Sequence, residues 1–409
     1  VPANAETRLP AGFQRLAWSN LAAQSAEQIG LAAAPILAVL ALGAGAGETG
    51  MLQTAQTLPF LLFAIPAGLL ADRISRSRLM AAAEALRVLS LLGILVLAWL
   101  GLLTLPLLAA LGFLGACGTV AYSVAAPALV PALVPPSALP LANARIELAR
   151  TTAFAAGPAL AGALVGWTGA ATAFGAAALL SAGAALLLGG LREPPRPHLP
   201  HRRIAQELRE GASFVFGHEL LRPVFVTQFI FGTAFFVLQA VYVPYAVHRL
   251  ELSASGVGAT LAAYGVGMMA GALAAPRIMR RLPFGAVIGI GPVAGLAASL
   301  AMVLTIWLPS PLLAGASFFL VGAGPILWVI STTTLRQSVT PPALLGRASA
   351  INIMAYGSRP LGAAIGALAG GLYGTETCLV VAACGFLAQA VVILLSPAVR
   401  LARQPQIAG

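Results

Sequence analysis

The chain contains no lysine: all 23 basic residues are arginine, and only 12 acids stand against them in 409 residues. Charged side chains make up 9%, where a soluble domain carries about 25%. With 59% hydrophobic residues and a mean hydropathy of +0.92, water is excluded as the medium for most of the surface. Cysteine is scarce. Cys117, Cys378 and Cys384 are odd in number and lie in apolar stretches, so no disulfide framework is expected. Three of the four histidines crowd one central polar segment and His248 stands alone, a spacing that offers no metal site. A Walker-type phosphate loop is missing, which excludes ATP as the direct energy source. No nucleophile–base pair points to an enzyme, and no cofactor is expected. The net charge of +11 therefore has to be explained without nucleic acid.

What the chain has instead is apolar runs of membrane-crossing length. A hydrocarbon core of ~30 Å needs about 20 helical residues, and backbone polarity restricts such spans to helices or closed barrels. Polar breaks and Gly/Pro clusters give twelve spans, near 15–42, 49–71, 79–99, 105–126, 141–166, 170–190, 222–248, 256–275, 284–308, 311–334, 347–372 and 376–397. The fold class expected is an all-α membrane protein of twelve helices in two six-helix bundles. Glu6, Arg8 and Arg15 precede the first run, which is too long, and lacks the cleavage pattern, for a removable signal peptide.

Arginine sets the orientation. With the N-terminus inside, only Arg249 falls in an outer loop and Arg359 in mid-span. The other 21 of the 23 lie in inner segments or the helix ends flanking them, as the positive-inside rule demands. Both termini are expected in the cytoplasm of a cell whose inner membrane holds the protein, with the lipid bilayer as its medium and a monomer as its form.

One long polar segment, "REPPRPHLPHRRIAQELREGASFVFGHELL" (192–221), divides the chain into 1–191 and 222–409. Its second half sets Ile204, Leu208, Phe214 and Val215 among charges, the pattern of an amphipathic helix on the inner membrane face. The two flanking parts are related. "GLLADRISRSR" (68–78) returns as "GALAAPRIMRR" (271–281) after 203 residues; "VPPSAL" (134–139) returns as "TPPALL" (340–345) after 206; "GWTG" (166–169) returns as "GLYG" (371–374). Internal duplication of this kind places a transporter's site near the bilayer midplane, where its halves meet.

Gly68, Asp72, Arg73, Arg76 and Arg78, between spans two and three, resemble the G-x-L-a-D-R-x-x-R-[KR] signature of the major facilitator superfamily. "EGASFVFGHELLR" (210–222), "TLRQSVTPPALLGRASA" (334–350) and "RPLGAAIGALAGG" (359–371) look like the branch that holds the enterobactin exporter and macrolide-efflux permeases. The resemblance implies alternating access by two rocking halves. It also implies that Asp72 faces the N-terminal end of span eleven, a gating contact rather than a substrate site. "GPALAG" (157–162) partly resembles an exporter signature. Span four lacks the arginine that many proton-coupled drug exporters of the family carry there.

Ionisable residues in a span are functional candidates. Glu27 is the proton-coupling candidate, on one face of span one with Asn20 and Gln24. Asn352, Tyr356 and Arg359 share a face of span eleven; Gln228, Phe235, Gln239 and Tyr242 stripe span seven; Gln53 and Gln56 stripe span two. With Tyr122 and Trp328 they are candidate linings of a cavity for amphipathic molecules, which needs apolar area and a few orienting polar groups. Gly362, Gly366 and Gly370 form a strip for helix packing. Glu84–Arg87, near the inner end of span three, and Glu147–Arg150 are read as ion pairs at i,i+3. The function expected is export of hydrophobic or amphipathic small molecules, of drug or siderophore type, in exchange for protons. An importer or uniporter, and a lipid translocator, remain open within the same fold.

Overall fold

The structure is a computed structural model that describes residues 9–135, 138–191, 193, 204–341 and 344–405. Among these residues it is helical throughout. In chain order the helices are α1 (Ala11–Leu42), α2 (Ala46–Arg73), α3 (Arg76–Trp99), α4 (Leu105–Leu133), α5 (Leu139–Thr168), α6 (Ala170–Gly189), α7 (Ile204–Gly217), α8 (Leu221–His248), α9 (Ala254–Arg281), α10 (Phe284–Leu304), α11 (Pro311–Val339), α12 (Leu345–Met354), α13 (Ser358–Tyr373) and α14 (Thr375–Leu394). Ten of the described helices are long and apolar enough to cross a membrane. α2, at 28 residues, and the run from α12 to α13 lie at the positions of the other two expected spans.

Two compact units result, one of residues 1–42 and 55–198, the other of 43–54 and 199–409. In the first, α1 packs on α5 and α6, and α3 on α4 and α6. In the second, α8 packs on α13 and α14, and α10 on α11 and α14. These four pairings correspond one to one, which is what a duplicated sequence should produce. The matched tetrapeptides also end alike: Gly169 and Gly374 have φ of +92° and +84° and each starts the next helix. Only glycine adopts that backbone cheaply, so these turns between antiparallel neighbours are fixed by one residue each.

Span eleven does not run unbroken over 347–372. α12 stops at Met354, a 3-10 turn covers Ala355–Gly357, and α13 restarts at Ser358. Pro360 has no N–H to give to the Tyr356 carbonyl and its ring crowds that oxygen. Proline alone does not suffice, since Pro35 and Pro158 sit inside unbroken helices. Here the Gly357–Ser358 pair precedes it, a second known source of kinking.

The linker helix forms as α7, but its apolar side is not turned to lipid. Leu208, Ala212 and Val215 pack with Ala348 and Ile351 of α12 and Leu221 of α8. Large aromatics are exposed where helices end on the side expected outside: Trp99, Trp167, Trp307 and Tyr373. Such side chains suit the membrane–water boundary.

Candidate functional site

Glu84 and Arg87 stand in the middle of α3, not near its inner end, and both are buried. Gly118 of α4 makes their surroundings possible. A Cβ there would lie 2.5 Å from the Ala83 carbonyl oxygen, so α3 and α4 meet backbone to backbone beside the pair. Arg87 Nη1 bonds Glu84 Oε1 at 2.7 Å and donates to the Ala23 carbonyl of α1 at 3.1 Å. Nη2 donates to Thr119 Oγ1 of α4 at 2.7 Å. Ser181 of α6 donates to the other oxygen of Glu84. Nη2 also lies 3.9 Å from Glu27 Oε2 on α1.

The Arg87–Glu84 pair therefore joins four helices of the first unit, α1, α3, α4 and α6, and its guanidinium stands between two carboxylates. The carboxylates differ. Glu84 is sealed in, with a side-chain exposure of 0%, while Glu27 retains 19%. Among the described residues Asn20 Nδ2, buried on the α1 side, has no hydrogen-bond partner, and the Tyr122 hydroxyl is buried on the α4 side beside Ser19. Gly157, from the partial exporter signature, faces Gln28 of α1, where a Cβ would come within 2.4 Å. Its role is to let α5 seat against the helix that carries Glu27.

Of the proposed cavity linings, the structure leaves Gln24, Gln53, Gln228, Gln239, Asn352 and Arg359 partly exposed and Tyr356 40% exposed. It buries the others. Gln56 packs on Gly112. Phe235 stacks on Phe231 and Tyr264 within a core cluster, at centroid distances of 5.9 and 5.5 Å. Tyr242 is fully buried, donates to Thr260 and sits edge-on to Phe318. Trp328 lies in the core against Gly291. Phe235, Tyr242 and Trp328 are thus packing residues of the second unit. Aromatic rings on a polar stripe are as well suited to a helix contact as to a cavity.

Arg359 keeps its place on the accessible side of α13. Its guanidinium stacks over the Tyr356 ring at 4.3 Å and near Phe236 at 5.6 Å, arrangements that stabilise a cation in apolar surroundings. The glycine strip behind it packs on α8: a Cβ on Gly362 would lie 2.2 Å from the Thr233 carbonyl oxygen and one on Gly366 2.8 Å from Ala240 Cβ.

In the signature loop, Gly68 has ordinary packing on Val124, and Arg73 and Arg78 are exposed. The Asp72 side chain lies outside the described residues. The loop has an anchor that sequence reading missed: Glu193 accepts from the Arg76 N–H at 2.8 Å and from Ser75 Oγ at 3.0 Å. A carboxylate at the first turn of α3 complements that helix end. Glu147 and Arg150 form the expected ion pair, and it is bidentate, with Nε to Oε2 at 2.9 Å and Nη2 to Oε1 at 2.5 Å. Cys117, Cys378 and Cys384 are free thiols.

Apolar spans, repeated helix pairing and mid-membrane charge define a polytopic transporter. The family model of the Major Facilitator Superfamily matches residues 16–367, and the chain belongs to that family. It is 29% identical over 340 residues to an uncharacterised MFS-type transporter, y4rN, of Sinorhizobium fredii, covering 77% of this chain and 78% of that one. Solved structures share the fold at low identity. A POT family transporter in complex with a thioalcohol-conjugated peptide has a TM-score of 0.75 at 13% identity, covering 98% of this chain and 99% of its own. A bacterial homologue of the iron transporter ferroportin, in an inward-facing state, has 0.73 at 16%, covering 94% and 98%. The nucleoside transporter NupG has 0.70 at 15%, covering 94% and 98%. The chain is accordingly a multi-pass membrane transporter and not an enzyme.

Proposed function

We propose that the protein exports hydrophobic or amphipathic small molecules by alternating access in exchange for protons, with Glu27 as the coupling residue. The observation that carries this reading is the buried Glu27–Arg87–Glu84 cluster. Arg87 bonds Glu84 at 2.7 Å and stands 3.9 Å from Glu27, so two carboxylates of different exposure share one guanidinium. Charge held away from water is costly, and a proton taken up by Glu27 would lower the net charge of the cluster. Glu27 is also the carboxylate that solvent reaches. Gln24 and Asn20 on α1 are proposed cargo contacts of the first unit, and Arg359 of α13 with Tyr356 of the turn before it those of the second. Asp72, Arg73, Arg76, Arg78 and Gly68 are the proposed gating elements of a protein working as a monomer in the inner membrane, both termini in the cytoplasm.

The test is efflux of ethidium and of a macrolide from drug-hypersensitive cells that express the wild type or Glu27→Gln, with and without a protonophore. Export by the wild type should stop when the proton gradient is collapsed, and Glu27→Gln should be inactive while reaching the membrane normally. Wild-type efflux that persists with protonophore would overturn proton exchange. Inward accumulation in place of efflux would support uptake, and movement of labelled lipid but neither drug would support a lipid translocator.

A further inference from the structure

The end of span eleven expected inside is held by the linker helix more than by its own bundle. Within its unit, α12 packs chiefly on α7, with a small contact to α11. Three different contacts make the joint. Glu210 of α7 accepts a charge-assisted hydrogen bond from Arg347 Nη1 of α12. Next to it, Gly211 is buried against the Arg347 backbone, where a Cβ would lie 2.7 Å from the carbonyl oxygen. One turn on, Val215 and Ala212 close an apolar cluster with Ala348 and Ile351. Charge, close backbone approach and apolar packing thus lie in register over two turns of each helix. Beyond the joint, the 3-10 turn at Ala355–Gly357 interrupts the hydrogen-bond ladder that would tie α12 to α13. On the other side of that turn, α13 is fixed to α8 through Gly362 and Gly366.

We propose that Glu210 and Gly211 are positioning residues of the transport cycle: through them the linker between the two halves clamps α12, and the 355–357 turn lets α12 take its position from α7 independently of α13. A linker that only joined two bundles would need none of these contacts. Glu210 sits in "EGASFVFGHELLR" and Arg347 in "TLRQSVTPPALLGRASA", so two segments singled out in the sequence meet in one joint. The clamp concerns the mechanics of span eleven and not the cargo, so it stands or falls separately from the export reading.

Hydrogen–deuterium exchange on the full-length protein in detergent tests it without any substrate. Peptides covering 345–354 should be protected in the wild type. Glu210→Arg, which sets two cations together, should raise their exchange about tenfold, the scale of one lost charge-assisted bond. Peptides covering 361–373 should change little. The exchange of charges in Glu210→Arg with Arg347→Glu should restore protection of α12, which a general packing defect would not permit. Gly211→Ala keeps the ion pair and should deprotect α12 by displacing it, a second route if the charge variants fail to purify. Unchanged α12 exchange in both Glu210→Arg and Gly211→Ala would overturn the clamp. So would an equal rise in α13, or failure of the charge exchange to restore protection.

Discussion

Arg87→Met is expected to destabilise the purified protein by about 3–5 kcal/mol, the range for breaking a buried ion pair from one side. Methionine fills much of the volume, so the loss is electrostatic. Glu84 would keep Ser181 but lose its cation at 0% exposure, and the Ala23 carbonyl and Thr119 would lose their donor. The double variant Arg87→Met with Glu84→Gln should recover much of the deficit, because the remaining amide is neutral and can still meet Ser181. Thermal unfolding in detergent, followed by intrinsic fluorescence, ranks the two. A single variant no less stable than the double one would show that Glu84 does not depend on Arg87 for its charge. The reading in which Glu84 and Glu27 share the Arg87 guanidinium would then fall.

How much of this was legible beforehand depends on what solvent each face meets. The spans were legible within a few residues: the run predicted over 222–248 is α8 at Leu221–His248, and 284–308 is α10 at Phe284–Leu304. Apolar length and turn chemistry fix those, and the "GWTG" and "GLYG" turns are glycine-dependent. The facing of side chains was much less legible. In water, an apolar stripe marks the core. In a bilayer the lipid side is as apolar as the packed side, so periodicity does not say which face of α8 is buried. Phe235 and Tyr242 looked like cavity linings for that reason and proved to be core. Glu84 and Arg87 were placed at a helix end because arginine marks membrane boundaries in the chain as a whole. Their mid-helix position depends on α3 starting at Arg76, capped by Ser75 and Glu193, and Glu193 arrives from 117 residues away. The break in span eleven is written in Gly357, Ser358 and Pro360, yet the same chain carries prolines through other helices unbroken. The bend needs their combination, and hydropathy registers none of it.

The repeated glycines offer the other large effect, and it is a difference between two positions that correspond in sequence. Gly68 opens the signature of the first half and Gly271 its weakened copy in the second. Gly271→Ala should destabilise by about 1–3 kcal/mol, the usual range for overpacking. Its Cβ would stand 2.3 Å from the Ala323 carbonyl oxygen and 2.5 Å from Ile326 Cγ2 on α11. Gly267 and Gly322 bring α9 and α11 equally close, each with a Cβ position 2.1 Å from a carbonyl oxygen of the facing helix, so α9 cannot slide to relieve the clash. Gly68→Ala should be neutral, or stabilising by about 0.5–1 kcal/mol through helix propensity. There the new Cβ meets only Val124 Cγ1 at 3.8 Å, an ordinary contact. The same thermal measurement reads both, and equal losses at the two sites would sink the argument. The expected inequality follows from what each copy kept. The second half replaced the aspartate of the motif by Ala275, which is buried in a cluster with Val287 and Leu327, and retained its glycine for helix packing. The first half retained the charge, with an accessible loop around it, and its glycine is under no comparable steric demand. Sequence correspondence between the halves thus marks common descent, while the neighbouring carbonyl decides what a methyl group costs.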